Sequence, residues 1–540
     1  MKKLITSVIL FLISVNITYS QISEDWIQRF TSDSIRNESV NDMFIDAAGN
    51  VYVTGSQRAL PFPNQAQIQA VTVKYNSQGI QQWIQNYQAQ DNNGALSRAI
   101  HVDNAGNVYV TGEDGIYSGG SNKALIIKYG PDGTQLWSYR FSYNTFYNAG
   151  FDIVTDADGN VYVAGEYYTG ATFYNNIFLI KFDPSGSLVN QTFYNSASEG
   201  ARKIGLDGSG KIIVGGYINH NDTLSFIALK YEQNLDFDWA SVWGQGVGNQ
   251  NPIDMAIDNN SNIILSGTNS VSVDYQTVKF DPAGSFVWGK LYNSSAGWDI
   301  CRSVAKDNSG NIYVTGETGT TGFPTSYKMT TIKYDPAGNE VWVNAYDGGN
   351  PGITGYYGYD VSLDDSSNVL VTGNTSGLNF ITVKYNNAGD LKWDITYNGI
   401  GGSGNSAVAV GADHSGNVYT TGTSLGDTTG YDIAIIKYKP TTIGIENISY
   451  EVPEGYSLSQ NYPNPFNPST KLGFGISDLG FVSLKIYDVQ GREVAVLVNE
   501  NLSPGSYEFE WNASGFTSGV YFYKLQAGQF TETKKMLLTK

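Results

Sequence analysis

Residues Asp103-Asn104-Ala105-Gly106-Asn107-Val108-Tyr109-Val110-Thr111-Gly112 form the stretch around which the chain is organised. Its first half reads as a tight turn, because Asp accepts local backbone hydrogen bonds and Gly tolerates positive φ. Val108 and Val110 then face one way and Tyr109 the other, as alternation along a strand requires. The phrase returns with its phase intact. Its copies begin at Asp46, Asp103, Asp156, Asp207, Asp258, Asp307, Asp364 and Asp413. A spacing of about 50 residues is the period of propeller blades. A second phrase follows each copy: a strand ending Lys-Tyr or Lys-Phe, a Gly turn, and usually a Trp. It reads Ile332-Lys333-Tyr334-Asp335-Pro336-Ala337-Gly338 before Trp342, and Val278-Lys279-Phe280-Asp281-Pro282-Ala283-Gly284 before Trp288.

Each unit therefore reads as four antiparallel strands, A to D, which is one blade. In the second unit these are residues 97–102, 107–111, 124–129 and 136–141, the last carrying Trp137. The ends of the array complement each other. Asp25-Trp26-Ile27-Gln28-Arg29-Phe30 resembles a D strand with nothing before it, and the last unit stops at Tyr438 without its Trp strand. Pairing the two closes the ring and removes an aggregation-prone edge. The expected fold class is all-β: a β-propeller of eight four-stranded blades over residues 21–440, with seven as the alternative if one unit is degenerate. The fourth unit is the weakest, with Lys211 in place of Asn and Asn190 in place of Trp in the preceding D strand.

Strand order separates two faces. The A–B and C–D turns are short and uniform, whereas the B–C loops and D–A links vary in length and sequence. Variable loops on a rigid scaffold are where binding concentrates. The candidate ligand-binding residues are the aromatics there: Tyr117, Phe146, Tyr147, Tyr168, Phe173, Tyr174, Trp298, Phe323, Tyr356 and Tyr357. The repeat tryptophans (Trp26, Trp83, Trp137, Trp239, Trp288, Trp342 and Trp393) are expected to pack between blades.

The two ends of the chain depart from the repeat. Lys2 and Lys3 precede an apolar run over residues 4–15, and Thr18 and Ser20 are small residues at the -3 and -1 positions. This is the pattern of a secretory signal peptide over residues 1–20, cleaved between Ser20 and Gln21. No transmembrane segment is expected in the mature chain. Residues 441–455 read as a linker with Pro453, and residues 456–540 as short alternating strands that suit a small immunoglobulin-like sandwich.

Composition narrows the chemistry. A formal net charge of -18 over 540 residues argues against nucleic acid, which rewards clustered Lys and Arg. Cys301 is the only cysteine, so no disulfide framework exists, and its strand-like setting reads as a buried apolar residue. The repeated Asp could be read as calcium ligands. The nearest loop, Asp156-Ala157-Asp158-Gly159-Asn160, lacks a distal Glu, and turn capping is the expectation. His101, His220 and His414 sit in different units without metal-ligand spacing. No nucleophile elbow, zinc helix or phosphate loop occurs, so no catalytic residue, metal or cofactor is expected. Acids converging near a propeller axis would be needed for glycoside chemistry.

The Asp-x-x-Gly-Asn-Val-Tyr-Val-Thr-Gly core, with Lys-Tyr/Phe and Trp, resembles the bacterial beta-propeller repeat family over roughly residues 25–440. It is similar also to the quinoprotein-type propeller repeat, whose Trp residues pack between blades. The resemblance implies a fold and no activity. The C-terminal segment resembles the type A sorting domain of the bacterial type IX secretion system. The match is carried by Tyr462-Pro463-Asn464-Pro465-Phe466-Asn467-Pro468, Ile486-Tyr487-Asp488, Gly491, Pro504-Gly505, Gly519-Val520-Tyr521 and Lys534-Lys535-Met536-Leu537. It implies export across the outer membrane through that machinery, then release or surface attachment. The expected function is a secreted or cell-surface binding module for a glycan or protein ligand. The alternatives are an extracellular polysaccharide-active or quinone-dependent enzyme, or a structural envelope protein.

Overall fold

The computed structural model describes residues 22–539, apart from residues 31–35, 60–67, 91–92, 117–120, 144–145, 169, 171–174, 221–222, 245–249, 270–272, 295–296, 320–325, 351, 403, 428–429, 441–445, 450–452, 503 and 514–515. Ser20 and Gln21, the expected cleavage site, lie outside the described residues. The chain divides into two units, one of them residues 24–439. Among the described residues that unit holds eight four-stranded sheets. Blades 1 to 7 span residues 36–88, 95–141, 148–194, 198–243, 250–292, 299–346 and 356–397. Blade 8 joins Ser406–Ala412, Val418–Leu425 and Tyr431–Pro440 to Ile22–Phe30 from the front of the chain. Each blade packs on the next and the eighth on the first. The A strands touch their neighbours all the way round, so they line the axis of a propeller.

The repeat phrase is explained by one carboxylate. Asp103 Oδ1 accepts the N–H of Ala105 (2.9 Å) and of Asn107 (2.9 Å), while Oδ2 accepts Asn107 Nδ2 (2.8 Å) and Tyr109 OH (2.9 Å). Four donors on one Asp leave the turn saturated, which is the capping role. The Lys of strand C completes the set in one of two ways. Where the Tyr is present, the ammonium lies over its ring, as for Lys128 on Tyr109 (5.1 Å), Lys74 on Tyr52 (4.9 Å) and Lys333 on Tyr313 (5.3 Å). Where Ile213, Ile264 or Leu370 replaces the Tyr, the Lys meets the carboxylate directly: Lys230–Asp207 2.8 Å, Lys279–Asp258 2.9 Å, Lys384–Asp364 2.7 Å.

The glycine that closes the phrase has a separate reason. Each A strand carries a bulge at the same level, for example between Ser97 and Ala99 opposite Gly112. The bulge bends the A strand over its partner. A Cβ at Gly55, Gly112, Gly316 or Gly373 would overlap the carbonyl oxygen of the facing A strand.

Tryptophan and turn glycine form the joint between blades. Trp83 Nε1 donates to Pro131 O (3.0 Å), Trp288 to Pro336 O (3.2 Å) and Trp342 to Asn387 O (3.1 Å), each in the C–D turn of the next blade. The turn glycine lies flat against the indole: a Cβ at Gly133, Gly186, Gly284 or Gly338 would press into Trp83, Trp137, Trp239 or Trp288. At the joint between blades 3 and 4 both partners change together. Asn190 replaces the Trp and donates to Asn234 O (2.6 Å), and Leu235 replaces the Gly. Leu235 keeps the left-handed conformation at φ 71° and is buried. The smaller Asn leaves room that the leucine fills. Leu235→Gly would release about 1–2 kcal/mol of left-handed strain but open a cavity that costs about 2–5 kcal/mol. The cavity wins, so the melting temperature of Leu235→Gly is expected to fall. A rise would mean that strain governs this joint.

The second unit holds the C-terminal residues 440–540. Two four-stranded sheets form there, Glu446–Ser449, Gly505–Asn512, Ser469–Ile476, Ser457–Leu458 in one order and Glu493–Leu502, Gly480–Tyr487, Gly519–Ala527, Phe530–Leu538 in the other. Glu446–Ser449 is an edge strand on Gly505–Asn512, so the expected linker 441–455 contains part of this domain. The core includes Phe466, Leu484, Ile486, Trp511, Tyr523 and Met536. Asn464 Oδ1 accepts the N–H of Leu537 (2.9 Å), and Phe466 pairs its backbone with Leu537 and Thr539 (3.0 Å each). The Tyr462–Pro463–Asn464–Pro465–Phe466 stretch is thereby tied to the strand holding Lys534 and Lys535. Tyr462 is 79% exposed, whereas Phe466 and Tyr521 are buried. Gly519 begins the strand to which that last strand pairs.

Candidate functional site

The bulge decides what the ring presents around its axis. The extra residue of each A strand is Asn41, Arg98, Phe151, Arg202, Ile253, Arg302, Tyr359 and Val408 in blades 1 to 8. A bulge re-aims the side chain it inserts. In blades 2 to 4 three such residues converge. Phe151 lies between two guanidiniums, Arg98 at 4.7 Å and Arg202 at 5.3 Å from its ring centre, and Arg202 also covers Tyr217 at 4.7 Å.

Each guanidinium is held by a buried glutamate one residue past the phrase glycine. Arg98 Nε donates to Glu113 Oε1 (3.0 Å), and Arg202 Nη1 donates to Glu166 Oε1 (2.7 Å). Glu113 also accepts Tyr147 OH (3.1 Å) and Asn122 Nδ2 (2.6 Å). Glu166 accepts Asn175 Nδ2 (2.8 Å), which lies 2.8 Å from Tyr217 OH. The Tyr147 and Tyr168 rings stand 4.7 Å apart, both half-buried. Burial pushes the Glu166 carboxyl up to about 7 against the pull of Arg202. Blade 6 repeats the device: Arg302 grips Glu317 (Nη2–Oε1 2.6 Å) below Tyr359, and Tyr327 and Tyr357 stand 5.4 Å apart.

The sequence-derived residues divide accordingly. Tyr147, Tyr168 and Tyr357 are half-buried parts of these clusters. Phe146 and Trp298 are exposed, at 42% and 62%. Tyr356 does not belong to a ligand face: it is buried at the start of its A strand, edge-on to Tyr346 at 5.2 Å. Tyr117, Phe173, Tyr174 and Phe323 lie outside the described residues. Sequence reasoning missed Arg98, Phe151 and Arg202 because they sit in strands, and the only signal was the glycine opposite each bulge.

One residue beyond the bulge, the odd blades place Asp42, Asp152, Asp254 and Asp360. Each carboxylate accepts a backbone N–H from the A strand of the following blade, at Ile100, Ile204, Val304 and Val410 (2.9–3.0 Å). These acids staple blades in pairs. Burial raises Asp42 to about 6 and also raises Asp152 and Asp360, while the surrounding aspartates, Asp152 foremost, hold Lys203 in its charged form.

Comparison with known proteins finds one family match within each unit. Residues 460–539 match the secretion system C-terminal sorting domain family. The protein is secreted, released or held at the cell surface, and its tail is read by the type IX machinery. Residues 287–324 match the beta-propeller repeat family. The chain is 25% identical over 455 residues to an uncharacterized WD repeat-containing protein of Acanthamoeba polyphaga mimivirus, covering 69% of this chain and 31% of the relative. The chain thus spans about a third of that relative's length. Among solved structures it is similar to a polysaccharide lyase, Uly1 (11% identity, 63% of this chain and 89% of that one, TM-score 0.40). It is similar also to a protein of unknown function from Dyadobacter fermentans (9% identity, 78% and 99%, TM-score 0.35). The sorting tail and the propeller repeats together make this a secreted β-propeller.

Proposed function

We propose that this secreted propeller is a glycan-binding module, with its ligand held at the axial mouth over blades 2 to 4. The observation that carries the reading is the combination of the paired Tyr147 and Tyr168 rings with Arg98, Glu113, Asn122, Glu166, Asn175 and Arg202 around them. Sugars offer apolar ring faces and a rim of hydroxyls, and a site for them needs flat aromatic surface beside planar hydrogen-bonding groups. Here those planar groups are already fixed by one another, so little side-chain ordering remains to be lost on binding. The rigid ring beneath supplies the rest of the preorganisation.

A glycan array and polysaccharide pull-down with the purified protein test this. At least one polysaccharide should be retained. The double variant Tyr147→Ala/Tyr168→Ala, assayed well below its own melting temperature, should bind it more than about tenfold more weakly, a loss of at least about 1.4 kcal/mol. Retention of no glycan, or undiminished retention by the double variant, would remove the reading.

A further inference from the structure

The internal repeat exposes a buried acid that lacks its cation. On the rung that strand B enters two residues past the phrase glycine, blades 2, 5 and 8 each carry a buried aspartate, on strand B in blade 2 and on strand C in the others: Asp114 opposite Lys123, Asp274 opposite Asn269, and Asp432 opposite Ser424. In blade 2, Arg140 meets Asp114 at 2.9 Å. In blade 8, Arg29 meets Asp432 at 2.8 Å. Arg140 and Arg29 each stand three residues after the Trp of their D strand, at Trp137 and Trp26. Three residues after Trp288 in blade 5 stands Leu291.

Asp274 is 1% exposed, and its Oδ1 has no hydrogen-bond partner. Gln276 lies two residues on, hence on the same strand face, is 4% exposed, and its Oε1 is also without a partner. Val278 and Phe280, further along that face, pack with Phe226 and Ala228 of blade 4, so both oxygens belong to the joint between blades 4 and 5. Asp299, wholly buried at the start of blade 6, lies close enough for the charge of Asp274 to help raise its carboxyl, after burial itself. Unpaired acceptor oxygens are costly to bury, and a carboxylate most of all. Among the described residues of blade 5, no arginine stands where Arg140 and Arg29 stand in blades 2 and 8.

We propose that Asp274 and Gln276 bind a hard metal cation of the calcium class, which does in blade 5 what Arg140 and Arg29 do in blades 2 and 8. Carboxylate and amide oxygens are the donors such an ion takes. Among the described residues no three His, Cys, Asp or Glu side chains gather to hold a metal, and this pair is of a different kind, one carboxylate with a neutral amide. So few charged donors place the affinity at the weak end, about 10⁻⁴–10⁻³ M, which is the range of extracellular modules. The inference goes beyond the glycan reading and is independent of the axial mouth.

The test is a thermal melt of the whole purified protein after chelator treatment, with calcium chloride titrated through the millimolar range and magnesium chloride alongside. The melting temperature should climb with the logarithm of calcium concentration. Asp274→Asn should lose that climb. Leu291→Arg, which supplies the missing cation from within, should raise the calcium-free melting temperature and lose the climb as well. No climb in the natural protein, or the same climb in both variants, would overturn the proposal. If Leu291→Arg does not fold, calorimetric titration of the natural protein and of Asp274→Asn with calcium chloride decides. Binding heat present in the first and absent in the second upholds it, and any other pattern overturns it.

Discussion

Removing residues 22–30 is expected to open the ring. The deletion takes away the outer strand of blade 8, the indole of Trp26 against the Gly79 turn, and the Arg29 side chain. Arg29 is the centre of the closure. Its guanidinium reaches Asp432 (2.8 Å), Tyr397 OH (2.8 Å) and the Ser424 hydroxyl (2.8 Å) and carbonyl (3.0 Å), with only 11% of its side chain exposed. Breaking a buried ion pair by removing one partner costs about 3–5 kcal/mol, because the other charge is left buried and uncompensated. Arg29→Ala alone should therefore lower the melting temperature by several degrees. The deletion adds an unpaired strand edge, which templates association. At a fixed scan rate, the deleted protein should melt far below the natural one and elute as dimers or larger species in size-exclusion chromatography. A monomer with an unchanged melting temperature would mean that the ring is held by blade-to-blade packing and needs no closing strand.

How much of this was legible in the sequence depends on what each residue answers to. The blades were, because the Asp turn, the Lys-Tyr pair and the Trp–Gly joint are local devices repeated in phase. The closing strand was too, since Trp26 and Tyr438 mark complementary halves of one blade. Asn190 in place of Trp looked like decay of a unit. Its compensation appears only once the turn that holds Asn234 and Leu235 is seen at the same joint. The axial mouth was hidden for a different reason. Arg98, Phe151 and Arg202 come from three blades about 50 residues apart, and a bulge, announced only by the glycine opposite it, turns them to one place. Tyr356 erred in the opposite direction. A tyrosine at the end of a link looked like a loop aromatic, but the strand already begins there and buries it. In the sorting domain, Ser469–Ile476 and Phe530–Leu538 carry weak strand signals. Gly473 and Gly475 dilute the first, and the second buries only Met536 and Leu538 late in its length.

That last strand makes Phe466→Ala the second large effect. Phe466 is 2% exposed and its ring lies 5.6 Å from Trp511. Its N–H donates to Leu537 O and its carbonyl accepts from Thr539 N, so one residue anchors both the core and the end of the chain. Phe→Ala in a core costs about 3–5 kcal/mol, and a domain this small has about 5 kcal/mol to lose. The sorting domain of Phe466→Ala should be largely unfolded, and the protein should accumulate inside the cell instead of reaching the medium or the cell surface. Tyr462→Ala separates folding from recognition. Tyr462 is 79% exposed, so its loss should leave the domain folded. If Tyr462→Ala is exported normally while Phe466→Ala is retained, the Pro-rich stretch acts by holding the last strand in place. If Tyr462→Ala is also retained although folded, that exposed ring is part of what the machinery touches. Normal export of Phe466→Ala would show that export does not depend on a folded sorting domain, and the coupling between this stretch and the last strand would then have no part in it.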